Sequence, residues 1–269
     1  MDLSAALDAA LAAYDLRASE LEVITPPNPR KRGRSLHRAR LVDGSSVKLR
    51  VFEDVDLAAE QVQLRSAAPA GFAPALGAHG PVVVEVWVDG RPVASPLVPE
   101  RAFAAGELLA SLHERRLGPA RPTGPWIEVA RVDLATLRAA GAVDEREAAR
   151  LEDLLASGDP GSFTPCLIHR DFCGVNLVEG DDGGLWVVDN EWFMVGPAGF
   201  DVGRTFNRWW MTAAEAEAVS AGYERRVGPV ADADLWALVA DLFGARVELE
   251  MNPEVGTPIR DQLRRRVEA

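Results

Sequence analysis

The sequence predicts an α+β fold in two lobes: a small antiparallel β-sheet with one helix, then a mainly helical lobe that carries a β-hairpin. Three observations support it. Strand-like runs separated by turn residues fill residues 21–90, whereas helical patterns dominate residues 99–269. Residues 166–189, CLIHRDFCGVNLVEGDDGGLWVVD, break that helical run as strand, loop, strand, tight turn and strand. At 269 residues and 48% hydrophobic, the chain is long enough to bury a sizeable core.

Taken in order, MDLSAALDAALAAYDL is mildly amphipathic and lacks the basic start and apolar core of a secretion signal, so residues 1–20 are expected to form a surface helix. LEVIT, LHRARLV, SVKLRVF and VVVEVWV then read as strands, with Asp43-Gly44 as a hairpin turn between the second and third. DVDLAAEQVQLRSAA reads as a helix with Leu57, Val62 and Leu64 along one stripe, ended by Pro69, Gly71 and Pro74. Pro- and Gly-rich residues 91–98 are the expected joint between the lobes. PERAFAAGELLASLHERR gives a helix with apolar Phe103, Leu108, Leu109 and Leu112 that ends near Gly118. Asp144 with Glu147 and Thr212 with Glu215 are spaced as capping boxes for two further helices. Residues 234–250 carry a stripe of Leu235, Leu238, Val239 and Leu242, and Thr257-Pro258 has the form of an N-cap and first turn of a last helix.

Charge and composition narrow the function. A net charge of -12 argues against non-specific nucleic-acid binding, which relies on basic surface. The same acidity is compatible with a cationic small substrate, and equally with simple solubility. No apolar run of about 18 residues occurs, so no membrane span is expected. The cysteines, Cys166 and Cys173, are most economically a reduced pair in a cytoplasmic protein. Of 29 basic residues only Lys31 and Lys48 are lysines.

The chemistry concentrates in residues 166–189. Asp171, Asn176 and Asp189 fall where strands end or loops begin. Two carboxylates and an amide, with no histidine or cysteine cluster, make an oxygen-only donor set suited to a hard cation such as magnesium, which points to phosphate chemistry. In SVKLRVF, Lys48 and Arg50 lie two apart, on the strand face opposite Val47, Leu49 and Val51.

His169, Asp171 and Asn176 stand as H-x-D-x-x-x-x-N, and Asp189 follows 18 positions after Asp171 in an apolar strand. This order resembles the aminoglycoside phosphotransferase and choline kinase branch of the protein-kinase-like superfamily. LLASLHERR resembles the Leu-His helix ahead of that family's catalytic loop. VVVEVWVDGRPV resembles its hinge, and VGPAGFDVGRT the run after its metal aspartate. The resemblance covers residues 36–205 and implies a protein-kinase-like two-lobed fold. It also implies ATP or GTP and Mg2+ as cofactors, and a small molecule bearing a hydroxyl as acceptor. Asp171 would orient or deprotonate that hydroxyl, Asn176 and Asp189 would hold magnesium between phosphates, and His169 would brace the loop. Family sequences place a Lys, sometimes an Arg, at the strand position of Lys48 and Arg50. Lys48 is favoured, because this chain otherwise uses arginine, with Glu60 on the next helix as its partner.

Ser35, in PPNPRKRGRSLH, is the candidate phosphate grip in a loop whose one glycine is Gly33, with a basic cluster around it. Base recognition falls to the backbone around Glu85 and Trp87. The loop reads RDFCGVN where the small-molecule branch usually has Gly-Asp and then His-Pro-Gly, so Arg170 and Cys173 depart from the pattern. The short stretch from Asp189 to Asp201 leaves no room for a long activation segment and favours a small-molecule acceptor over a protein. Glu191, Glu248 and Glu250 with Trp192, Trp209 and Trp210 are candidates for holding a polar or cationic acceptor such as an aminoglycoside, sugar or amino alcohol. A kinase-like regulator that binds nucleotide without transferring phosphate, and a metal-dependent phosphate-ester hydrolase, are the alternatives.

Overall fold

In the computed structural model, which describes residues 2–28, 34–93, 95–158, 160–251 and 258–268, the chain runs α1 (Leu3–Ala13), β1 (Ala18–Asn28), β2 (Arg34–Leu41), β3 (Ser46–Val51), α2 (Val55–Ser66), β4 (Ala75–His79), β5 (Val82–Val86) and β6 (Gly90–Pro92). It continues through α3 (Pro99–His113), β7 (Arg121–Pro122), α4 (Gly124–Ala139), α5 (Glu145–Ser157), β8 (Ser162–Phe163), β9 (Pro165–Ile168), β10 (Leu177–Gly180), β11 (Leu185–Val187) and β12 (Met194–Pro197). The last elements are α6 (Ala198–Arg208), α7 (Ala213–Val227), α8 (Ala233–Met251) and α9 (Pro258–Glu268). The chain divides into two units, Met1–Val93 with Asn176–Met194, and Ala94–Val175 with Val195–Ala269. The β10–β11 hairpin falls within the first of these units. The expected basic cluster around Gly33 and the N-cap Thr257 lie outside the described residues, Arg34 excepted.

The first unit is built on an antiparallel sheet in the order β1-β2-β3-β5-β4. The β2–β3 turn is the predicted one: Gly44 takes φ +90°, and Asp43 accepts from the Ser45 N–H at 2.9 Å. Strand alternation splits the apolar residues between two faces. Val47, Leu49, Val51, Val82 and Val84 pack with Leu7, Ala10 and Leu11 of α1, while Val83 packs with Phe52 and Ala58 of α2. The predicted stripe of α2 is displaced. Leu57 and Val62 are only partly buried, and the positions that turn inward are Ala58, Gln61 and Arg65. Polar partners explain this: Gln61 donates to the Phe193 carbonyl and Arg65 to the Asn190 carbonyl. The expected joint begins as a strand, since β6 pairs with β10, which in turn pairs with β11.

The second unit is helical around two short β ladders, β7–β8 and β9–β12. Its capping boxes form as predicted, Asp144 with Glu147 on α5 and Thr212 with Glu215 on α7. Helix α3 ends at His113, short of Gly118, and α4 and α6 are elements the sequence reading leaves out. Trp126, Phe163, Phe200 and Trp236 stack at centroid distances of 4.9–6.4 Å and tie α4, α6 and α8 together. Helices α3 and α7 meet backbone to backbone. A Cβ on Gly106 would fall 2.0 Å from the Val219 carbonyl oxygen, and one on Gly222 would fall 2.0 Å from that of Phe103. Neither position has room for any side chain. Among the described residues, no helix is long and apolar enough to cross a membrane.

Candidate active site

Residues directly opposite on paired strands share a face, so the pairings Lys48–Glu85 and Arg50–Val83 put both basic residues of β3 on the side covered by α2. There they meet carboxylates. Lys48 Nζ lies 2.8 Å from Glu85 Oε2, and Arg50 Nε and Arg65 lie 3.1 and 2.6 Å from Glu85 Oε1. The same Arg50 guanidinium donates to Asp189 and to Glu191. Three cations, Lys48, Arg50 and Arg65, thus face three carboxylates, Glu85, Asp189 and Glu191, with Arg50 joining all three acids. Glu85 is 1% exposed, and burial alone would raise its pKa. Arg65, Lys48 and Arg50 outweigh that effect and hold it well below the usual carboxylate range. Burial pushes the Lys48 ammonium down, with Glu85 opposing. Burial would also raise Asp189, but Arg50 and Lys48 hold it low.

This arrangement corrects the expected partner of the strand cation. Glu60 is exposed on α2, and Lys48 pairs with Glu85 of β5 instead. Glu85 accordingly acts through its buried side chain as the anchor of the cluster. The Trp87 ring lies under the Arg38 guanidinium, 4.3 Å away. A recess in this unit is lined by Thr25, Arg34, Ser35, Arg50, Asp189 and Glu191. Ser35 reaches it while its Oγ lies 3.0 Å from His37 Nε2. Of the two β3 cations, Arg50 lines the recess and Lys48 does not.

The β10–β11 hairpin brings the two candidate metal ligands to one end. Its ladder pairs Leu177 with Val187, and one step further the Val188 N–H donates to the Asn176 carbonyl at 2.9 Å. Asp189 follows at φ +62°, a left-handed conformation that Asp tolerates better than most residues. An amide and a carboxylate at one hairpin end, beside cations able to meet phosphate, fit magnesium, which is commonly held by one or two protein oxygens together with phosphates.

In the second unit the loop of His169, Arg170 and Asp171 is hung from Asp201. Its Oδ2 accepts the His169 N–H at 2.7 Å and its Oδ1 the Arg170 N–H at 2.6 Å. His113 Nε2 lies 3.1 Å from Asp201 Oδ2, while His113 Nδ1 lies 2.9 Å from the Tyr223 hydroxyl. These bonds hold Arg170 at φ +70°, a strained backbone for a long side chain. Burial would raise Asp201, but its bonds to His113 and the loop amide keep it low. His169 accepts the Asp171 N–H on Nδ1 at 3.2 Å, an arrangement that supports the loop. The Asp171 carboxylate, partly exposed, has Arg208 Nε 3.3 Å from its Oδ1.

The residues of the expected acceptor set are divided between the two units. Glu191 and Trp192 belong to the first unit, where Glu191 pairs with Arg50 and the Trp192 ring lies 4.5 Å from the Arg34 guanidinium. Glu250 pairs with Arg246 on the same helix. Trp209 is buried against Phe172 of the loop, whereas Trp210 is 74% exposed. Cys166 and Cys173 are both buried thiols, and burial raises Cys166 to about 12. Sequence reasoning missed Arg65, Asp201 and Arg208, and it named Glu191 for the acceptor where the structure pairs it with Arg50. Asp201 alone had a sequence signal, as the acid of the VGPAGFDVGRT run.

The family model described as "Phosphotransferase enzyme family" matches residues 29–239. No curated protein matches the chain in sequence. Among solved structures, a Thermobifida fusca protein assigned as a fructosamine-3-kinase has TM-score 0.70 at 17% identity, over 99% of this chain and 97% of that one. Choline kinase LicA from Streptococcus pneumoniae has TM-score 0.67 at 11% identity, over 100% and 98%. ADP-bound aminoglycoside phosphotransferase APH(2'')-Ib has TM-score 0.63 at 12% identity, over 100% and 96%. At these identities the likeness is one of fold, the expected two-lobed kinase-like one. With the family model spanning most of its length, the chain belongs to the APH phosphotransferase enzyme family.

Proposed function

We propose that the protein transfers the terminal phosphate of ATP or GTP to a hydroxyl of a small polar acceptor, with Mg2+ as cofactor. The observation that carries this is Asp171, a partly exposed carboxylate on a loop whose backbone is fixed by Asp201 and His169. In the second unit Asp171 accepts a hydrogen bond from the acceptor hydroxyl and takes its proton as the new ester forms, which is general-base work at a fixed position. In the first unit Arg50 and Ser35 line the recess and meet phosphate oxygens, and Lys48 adds positive charge behind them. Asn176 and Asp189 would hold the magnesium, which would supply positive charge against the phosphates. The fold neighbours support this reading, since they are named as kinases or phosphotransferases of small molecules and one carries ADP.

The test is a screen with Mg2+ and ATP or GTP against aminoglycosides, sugars and amino alcohols, scored by mass for the gain of one phosphate. Phosphate gain by at least one acceptor, abolished by Asp171→Asn, is the expected result. Nucleotide hydrolysis or binding with no phosphorylated acceptor across the panel would count against it.

A further inference from the structure

We propose that the acceptor carries an anionic group, a carboxylate or a phosphate ester, near the hydroxyl that Asp171 orients, and that Arg208, backed by Arg204, selects it. The proposal rests on the phosphotransfer reading above and adds the chemical class of the acceptor. Asp201, Arg204 and Arg208 recur at helical spacing along one face of α6. Asp201 fixes the loop backbone, and the next turns bring the two arginines towards the loop's carboxylate: Arg208 Nε lies 3.3 Å from Asp171 Oδ1.

Arg204 is the unusual member. It is 6% exposed, and its Nη1 donates to a neutral amide, Asn207 Oδ1, at 2.9 Å. Its Nε has no hydrogen-bond partner among the described residues. Asp171 and Asp201 act on it through space, and burial opposes its charge. Arg204 thus makes its described hydrogen bond to a neutral amide, while Asp171, Asp201 and Asp241 balance its charge through space, and it adds a second guanidinium beside the loop that carries Asp171. The surroundings add positive charge. Arg170, Arg204 and Arg246 all lie over the Phe243 ring, at 5.1, 5.1 and 5.2 Å from its centroid. Of these, Arg246 is neutralised by Asp133 and Glu250, each at 2.6 Å.

Among the described residues the ion-pair partner of Arg208 is Asp171, the carboxylate that must turn to the acceptor hydroxyl. An acceptor anion supplies the missing charge at that moment: it takes over the half-exposed Arg208 guanidinium and releases Asp171 for the proton. A cationic acceptor meets like charge at Arg208 and leaves the ion pair closed. The overall charge of -12 does not by itself set the preference, because the group nearest the Asp171 carboxylate is the half-exposed Arg208 guanidinium.

The experiment uses matched probes on the full-length protein with Mg2+ and ATP: glycerate against glycerol, gluconate and glucose 6-phosphate against glucose, with glucosamine as the cationic arm. Both phosphate gain and direct calorimetric binding are read. The anionic member of each pair is expected to exceed the neutral one in kcat/KM or affinity by roughly tenfold or more. Arg208→Gln should collapse that ratio, chiefly through KM, and Arg208→Lys should restore part of it. The carboxylate and phosphate arms tell which anion is read. Preference for glycerol, glucose or glucosamine, or a ratio unmoved by Arg208→Gln, overturns the proposal. Binding of an anionic probe that Arg208→Gln abolishes, without turnover, supports the anion site and overturns the phosphotransfer reading. Neither binding nor turnover with any probe overturns both.

Discussion

Lys48 Nζ and Glu85 Oε2 lie 2.8 Å apart as a cross-strand pair of β3 and β5, so the strand cation takes its carboxylate from the sheet and not from the neighbouring helix. Because Glu85 also meets Arg50 and Arg65, its removal takes the ion-pair carboxylate from Lys48 and Arg65 and one of three from Arg50. Glu85→Gln is expected to cost about 3–5 kcal/mol of stability, measured by urea denaturation. A loss below about 1 kcal/mol would show that the cluster relaxes towards Asp189 and Glu191 instead.

The same residue predicts an acid limb. Glu85 has a folded-state pKa below its ordinary value of 4.5, so the unfolded chain takes up the proton first as pH falls. Its contribution is complete above about pH 4.5 and is lost as pH drops below that towards the depressed folded value. Asp133 and Asp241, raised by burial, act in the opposite sense and partly mask the effect in the intact protein. The comparison to make is therefore between variants: Glu85→Gln should flatten stability against pH below about 4.5 relative to the unmodified chain.

Arg50, which lines the recess and joins three carboxylates, should outweigh Lys48 in nucleotide binding. Arg50→Lys keeps the charge but not the planar fork that serves several partners, and is expected to weaken ATP binding by roughly tenfold or more. Lys48→Arg should weaken it less. Calorimetric titration of the two variants with Mg2+ and ATP decides the order, and the reverse order would return the phosphate role to Lys48.

Asp171→Asn preserves shape and removes the basic oxygen. Turnover on any accepted hydroxyl should fall by about 10²- to 10⁴-fold while ATP affinity stays within a few-fold. A parallel loss of nucleotide binding would place Asp171 in structural support of the loop.

Gly106→Ala is expected to destabilise the helical unit by about 1–3 kcal/mol or more, because the new methyl meets a carbonyl and not a movable side chain. Thermal unfolding monitored by circular dichroism measures it. An unchanged midpoint would mean that α3 and α7 separate freely.

What was legible in the sequence was local. The Asp43-Gly44 turn, the two capping boxes and the strand-turn-strand unit depend on residues a few positions apart, and all form. Motif spacing alone singled out His169, Asp171, Asn176 and Asp189 as candidates. The site was opaque where contact is long-range. Asp201 reaches His169 across 32 positions and Glu191 reaches Arg50 across 141, and no periodicity announces either. Glu60 shows the sensitivity of a helical reading. Successive residues are rotated by about 100°, so the turn that brings Gln61 and Arg65 inward leaves Glu60 outside. An apolar stripe was the wrong guide, because two polar side chains chose the buried face.

The crossing of α3 and α7 has a consequence for the chemistry. Its spacing is set by bare backbone at Gly106 and Gly222. One residue beyond Gly222, Tyr223 bonds to His113 at the end of α3, and His113 reaches Asp201, from which the loop hangs. The two glycines thus act as a caliper whose jaws close on atoms that cannot be repacked. The helix gap is thereby linked through Tyr223, His113, Asp201 and His169 to the backbone of Asp171.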